Sequence, residues 1–494
     1  MACTTILVGK GASYDGSTIV ARNEDSGSGS FVAKRFAVMN PQEQPKVYRS
    51  VLSHVEISLP ENPMRYTYMP SSDNAEGIWG AYGVNEKNVS MTATETLTTN
   101  AIVAGADPLV VYQKAENGKP EIAGGIGEED MVTITLPYIS SARDGVKRLG
   151  MLLETYGTYE MNGIAFQDED EIWWLETIGG HQWIAKKVPD NSYVVMPNQL
   201  GIDSFDFEDA YGAQKEHLCS PNLRQFVKEH HLDRRMDLSE PFNPRDAFGS
   251  HDDSDHTYNT PRAWAMLRYF NPSIVWDGEA AEYTPASDNL PWAMVPEKKI
   301  TLEEVKWVLS NHYQGTPYDV YAKHTTGNQA GMFRPIGINR NNVLGLVQIR
   351  PYMPDDLKAI QWIALGSNVF NAMVPFYTRI EETPAYLGEI HTKPTTENFY
   401  WVNRIIAALA DAHFSENASH IEQYQNAVSA KAHEMINRFD REFLETQLEN
   451  KAEFFQKANQ EISDWVEQKT QELLDRVLYT SSCLMKNSFS RSDA

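Results

Sequence analysis

Cysteine is scarce in this chain: 494 residues carry three, at positions 3, 219 and 483. They are too few and too scattered for a disulfide framework or a thiolate zinc site, and they fit a reducing compartment. Positive charge is also in deficit. Against 67 Asp and Glu stand 43 Lys and Arg, a net charge of −24 with no local basic patch to offset it. Such a field repels phosphate backbones and anionic lipid surfaces, so no nucleic acid and no membrane is expected as a partner. Long apolar runs are missing too, and no window approaches the ~18 residues of a membrane span. The opening MACTTILVGK has no basic stretch followed by an apolar run, so no secretory leader is expected and a cytoplasmic location is. Glycine and proline, finally, vanish after residue 394: all 30 Gly and 25 Pro lie at or before Pro394.

That last absence divides the chain. Residues 395–494 read as helix, with apolar side chains at Tyr424, Val428, Ala432, Met435, Phe439 and Phe443 and a second series running from Phe455 to Val477 at spacings of three and four. The heptads are not sustained, so a helical region packed on the body or on another subunit is expected rather than a coiled coil. A homo-oligomer is compatible with that stripe, as is a monomer. Before residue 395 the signals are mostly strand-like. Thr4–Gly9 and Ser17–Arg22 flank an Asp15-Gly16 bend and read as a hairpin. Asn162–Phe166, Glu171–Thr177, His181–Lys187 and Ser192–Pro197, separated by turn residues, read as a four-strand meander. Ser141–Tyr156 and Thr301–His312 read as helices, the second opened by a Thr-Leu-Glu-Glu capping pattern. Strands and helices in separate blocks point to an α+β fold.

Cys3 is the most informative residue. Alone it reads as a small buried hydrophobe. If Met1 and Ala2 are removed, however, Cys3 carries both a thiol and an α-amine whose pKa near ~7.7–8.0 suits it as base for its own side chain. A hairpin bent near Asp15 returns Arg22-Asn23-Glu24-Asp25 to the start of the first strand, supplying a cation to favour the thiolate and a carboxylate to orient it. A surface salt-bridge cluster would have the same sequence.

Cys3-Thr4-Thr5, Asp15-Gly16-Ser17, Ala21-Arg22-Asn23-Glu24-Asp25, Gly83-Val84-Asn85-Glu86-Lys87, Trp173-Trp174-Leu175-Glu176, Met196-Pro197-Asn198-Gln199, Tyr258-Asn259-Thr260-Pro261-Arg262 and Val374-Pro375-Phe376-Tyr377 occur in that order. Together they resemble the cysteine dipeptidases of the N-terminal-nucleophile (Ntn) hydrolase superfamily, over roughly residues 3–380. The resemblance implies a four-layer αββα sandwich of antiparallel sheets, removal of Met1-Ala2 by autoprocessing or by an aminopeptidase, and hydrolysis of dipeptides through an acyl-enzyme with no metal and no cofactor. It divides the chain into a pro-segment (1–2), a catalytic domain (3–394) and a helical region (395–494). Cys3 matches the nucleophile, and Arg22 and Asp25 match the residues that orient and activate it. Asn198 matches an oxyanion-binding amide. Arg262 resembles a second arginine of the related acylase branch, although an arginine at a helix start after Pro261 reads equally as structural. Asn23, within the same motif, is a candidate substrate-binding residue. Two departures stand out. Asn88 replaces the usual glycine, and asparagine tolerates the left-handed conformation the turn needs. Glu95 stands near the acylase-branch asparagine; ionised, it cannot donate to an oxyanion, but it could bind a substrate α-ammonium. Two alternatives remain within the resemblance: an amidase for bile-salt or penicillin V amides, and a non-catalytic secernin-like interaction protein.

Other clusters carry less. His251-Asp252-Asp253-Ser254-Asp255-His256 and Glu229-His230-His231 lack a metal-binding spacing and read as polar loops. Gly124-Gly125-Ile126-Gly127 lacks a strand–helix context, and the acidic run after it would repel phosphate. Cys219 and Cys483 read as bystanders.

Overall fold

A computed structural model describes residues 3–27, 29–93, 95–322 and 329–486. Its centre is the first hairpin. Thr4–Val8 and Thr18–Asp25 are buried at every position and pair antiparallel with Thr5 opposite Arg22 and Leu7 opposite Val20. The bend between them is held by Asp15, whose carboxylate accepts from the Ser17 amide at 3.0 Å and hydroxyl at 2.9 Å, while Gly16 takes a φ of 84° that a side chain would resist. The hairpin lies inside a seven-stranded sheet. Tyr193–Met196 and Ala293–Met294 extend it on one side; Asn341–Ile349, Ala359–Leu365 and Val374–Tyr377 extend it on the other.

A second antiparallel sheet faces the first. It runs in the order His217–Cys219, Trp183–Lys187, Ile172–Thr177, Asn162–Gln167, Ser90–Thr92, Tyr82–Asn85, Tyr66–Tyr68 and Ala37–Met39, with Glu95–Thr96 also paired to Asn162–Gln167. The expected four-strand meander is therefore three strands. The fourth, Tyr193–Met196, crosses to the first sheet and pairs with Thr4–Val8, which sets Asn198 beside the chain start. The two sheets meet through Leu7, Val20, Ala165, Trp174 and Ile184. Gly345 lies so close under the Tyr82 ring that a Cβ would collide with it.

Helices cover both outer faces, completing the αββα order. Glu128–Thr135 and Ala142–Tyr156 pack on the second sheet. Thr260–Phe270 and Leu302–Leu309 pack on the first, the latter capped by Thr301, whose hydroxyl accepts from the Glu304 amide at 3.2 Å. Three further helices, Phe399–Asp411, Phe414–Glu445 and Lys451–Cys483, follow. The apolar stripe foreseen on them, Tyr424 to Phe439 and Phe455 to Val477, merges with the core under the first sheet. Polar bonds fix the docking: Tyr377 exchanges both backbone bonds with the Asn459 amide at 2.9 Å, and its hydroxyl donates to Asp440 at 2.8 Å. Asn88 has a φ of 55°, the left-handed conformation expected of it. Among the described residues, no helix is long and apolar enough to cross a membrane.

Candidate active site

Strand alternation sends Cys3, Thr5 and Leu7 toward the second sheet, and the register places Arg22 on the same face. Cys3 is fully buried. Arg22 Nη2 donates to its Sγ at 3.0 Å and to Glu128 Oε1 at 2.7 Å, while Nη1 donates to the Ala81 carbonyl at 3.0 Å and to Glu24 Oε2 at 3.3 Å. Glu24 pairs in turn with Lys34 Nζ at 2.6 Å, and Lys34 donates to the Trp79 carbonyl at 2.7 Å. Each of these charged groups is buried and each has a partner, the condition under which charge is tolerated away from water.

Burial pushes the Cys3 thiol well above its ordinary pKa, with Glu95 and Glu128 adding to the rise and Arg22 opposing it. The Glu128 carboxyl moves the other way. Burial would raise it, but neighbouring cations, Arg22 and Lys34 among them, outweigh that and hold it below the usual range.

A second set of bonds fixes the other side of Cys3. Arg262, buried in the first turn of its helix, donates through Nη1 to the Cys3 carbonyl and to Thr4 Oγ1 at 2.7 Å. Its Nη2 donates to Asn198 Oδ1 at 2.8 Å and Asn259 Oδ1 at 2.6 Å. Burial and then the nearby Arg334 bring its pKa down to about 9. Asn198, half-buried just past its strand, is thereby oriented: its oxygen faces Arg262 and its Nδ2 donates to Glu95 Oε2 at 3.4 Å. Glu95 is fully buried, accepts from the Thr5 hydroxyl at 2.5 Å, and is pushed by burial up to about 8.

Five of the seven residues singled out from the sequence thus converge: Cys3, Arg22, Glu95, Asn198 and Arg262. The remaining two occupy the opposite face of their strand. Asn23 donates to the Leu309 carbonyl at 2.7 Å and accepts from Asn368 Nδ2 at 2.8 Å. The Asp25 carboxylate accepts from Arg334 and Asn341. The Met1-Ala2 pro-segment lies outside the described residues.

Glu128, Lys34, Asn259 and Arg334 belong to this constellation and escaped the sequence reading. Glu128 belongs to the acidic run set aside after Gly124–Gly127; that segment does open a helix, capped by Gly127, with no strand before it. The signal that could have found Glu128 is three successive acids at a helix start, where a dipole favours them. Of the histidine clusters, His256 pairs with Asp288 at 2.8 Å. Among the described residues, no group of three or more His, Cys, Asp or Glu is placed to hold a metal.

Comparison with known proteins gives one family: the model of peptidase family C69 matches residues 2–427. The chain is 53% identical to a dipeptidase of Bifidobacterium longum (strain NCC 2705), with all of both chains covered. It is 50% identical to a probable dipeptidase A of Streptococcus pyogenes serotype M3, again over the whole of both. It is 42% identical to dipeptidase A of Lactobacillus helveticus, over 98% of this chain and 97% of that one.

Proposed function

The chain belongs to peptidase family C69, and from that premise we propose that it hydrolyses dipeptides with Cys3 as an N-terminal nucleophile, after Met1 and Ala2 have been removed. The observation that carries the reading is the Arg22 guanidinium donating to Cys3 Sγ at 3.0 Å while it also pairs with Glu24 and Glu128. A thiol raised by burial needs a base next to it, and the α-amine freed at Cys3 is that base.

In this scheme the thiol proton passes to the α-amine and the thiolate, favoured by Arg22, attacks the dipeptide carbonyl. The Asn198 side-chain amide donates to the developing oxyanion, a contribution of about 3 kcal/mol for donors of this kind. The α-ammonium returns its proton to the departing amino acid, leaving a thioester on Cys3. Water, activated by the same α-amine, then releases the acyl half and restores the thiol. Arg262 is a positioning residue, holding the Cys3 carbonyl and the Asn198 amide in register. Asp25, through Arg334 and Asn341, holds the end of the strand that carries Arg22. Glu95 Oε2, whose bond from Asn198 is long at 3.4 Å, is the acceptor for the substrate α-ammonium, whose charge draws the buried carboxyl back to its ionised form.

Intact mass and a dipeptide assay test this together. The expected mature chain begins at Cys3, and Cys3→Ala has no dipeptidase activity. A chain that retains Ala2 yet hydrolyses dipeptides would overturn the mechanism, and activity toward bile-salt or penicillin V amides in preference to dipeptides would overturn the substrate.

A further inference from the structure

On the far side of the first sheet from Cys3 lies a cavity of about 300 Å³. Its walls are the helices Leu302–Leu309 and Phe414–Glu445, and Trp362 contributes from the strand Ala359–Leu365. Most of the lining is apolar, with Trp307, Trp362, Met373, Phe414 and Ile421 facing it, and the volume suits a small organic molecule.

Two charges of opposite sign are set into this apolar lining. Lys306, from the shorter helix, donates to Ser310 Oγ at 2.8 Å and to the Asn368 carbonyl at 2.7 Å, which leaves one ammonium proton; among the described residues it forms no ion pair. Burial alone lowers its pKa to about 7, so a carboxylate arriving there would be met by a group that gains from being paired. Glu422, from the longer helix, is exposed at the cavity edge and likewise forms no ion pair among the described residues. The other acid in the lining, Glu303, is already taken by His433 at 2.6 Å and Ser429 at 2.9 Å.

We propose that this cavity is a binding site for an apolar α-amino acid, with the carboxylate on Lys306, the ammonium toward Glu422 and the side chain among Trp307, Trp362 and Met373. A zwitterion satisfies both charges at once, which a fatty acid or an amine would not, and the apolar walls select a hydrocarbon or aromatic side chain. That such an amino acid is also a product of the enzyme rests on the dipeptidase reading; the site itself does not. The position of the cavity gives its occupant a route to the nucleophile. Lys306 holds the Asn368 carbonyl, the Asn368 side chain donates to Asn23 Oδ1 at 2.8 Å, and Asn23 adjoins Arg22 in the strand.

The test is calorimetric titration of L-leucine into the full chain carrying Cys3→Ala, which binds without turnover. Saturable one-to-one binding is expected, weakened about tenfold or more in Lys306→Met by loss of a charged hydrogen bond. Isovalerate and isopentylamine, each with one of the two charges, should bind more weakly than leucine. Since Lys306→Met also loosens Asn368, a second variant, Ala418→Phe, fills the cavity from the longer helix and leaves that bond alone. It should abolish binding, and with Cys3 intact it should retain dipeptide hydrolysis. Leucine binding to Ala418→Phe at the parent affinity, or none to the parent, overturns the proposal. Because binding is read in a chain without the nucleophile, neither result depends on what Cys3 does.

Discussion

The two faces of one strand, Thr18–Asp25, are both fully buried yet do different work. Toward the second sheet, Val20 packs in the apolar centre, and Arg22 and Glu24 join Cys3, Glu128 and Lys34 in a run of charges linked one to the next. Toward the helices, Ile19 and Ala21 pack in the core, and Asn23 and Asp25 bond to the Leu309 carbonyl, Asn368, Asn341 and Arg334. Burial is the same on both sides. What differs is the partner: one face surrounds the Cys3 sulfur with charge, and the other ties the strand to its surroundings. A run of polar residues in sequence, Arg22 to Asp25, is therefore divided in space by the period of two.

Breaking the charged face should have the largest effect. Arg22→Met removes the cation that Cys3, Glu24 and Glu128 share and leaves Glu128 buried without it. Breaking a buried pair in this way costs about 3–5 kcal/mol, and losing the thiolate's partner should cut dipeptide hydrolysis by about a hundredfold or more. Denaturant unfolding and kcat/KM measure the two losses separately. A variant that loses stability but keeps kcat/KM would show that Arg22 acts structurally, and the contrast between the faces would collapse.

The helix face should answer differently. Asn23→Ala leaves the Leu309 carbonyl and Asn368 short of partners, a cost of about 1–3 kcal/mol for unsatisfied buried groups, and should leave KM for dipeptides within about twofold. A rise in KM without loss of stability would instead return Asn23 to the substrate-binding role suggested by the motif around it.

These cases mark how far the sequence could be read. The hairpin was visible because Thr4–Gly9 and Ser17–Arg22 are runs rich in β-branched residues around an Asp-Gly bend, and the hairpin alone brings Arg22 to Cys3. The capped helix after Thr301 and the apolar stripe on the last helices were visible as local patterns. The crossing of Tyr193–Met196 into the first sheet was not, because a short strand carries no mark of which sheet it joins. Glu128 and Arg334 reach their partners, Arg22 and Asp25, from 106 and 309 residues away, and only packing of the layers brings them together. Buried acids look in sequence like any surface acid, and this matters most for Glu95.

Glu95 offers the finest probe of the charged face, because its protonation couples to folding. Burial raises its pKa from 4.5 to about 8, so between those values the folded chain holds a proton that the unfolded chain has released. Stability from this group is thus fully present below about pH 4.5 and declines as pH rises toward 8. Glu95→Gln keeps the hydrogen-bonding shape of the protonated acid and does not titrate. The melting temperature of the variant relative to the parent should therefore climb between pH 5 and 8 and level off above it. Glu129 and Glu160, raised by burial to about 7, tilt both proteins alike and cancel in the difference. A difference that stays flat, or falls with pH, would mean that Arg22, Thr5 and Arg262 hold Glu95 ionised in the fold. The second sheet would then present a standing negative charge to Cys3, and the thiolate would have to form against it.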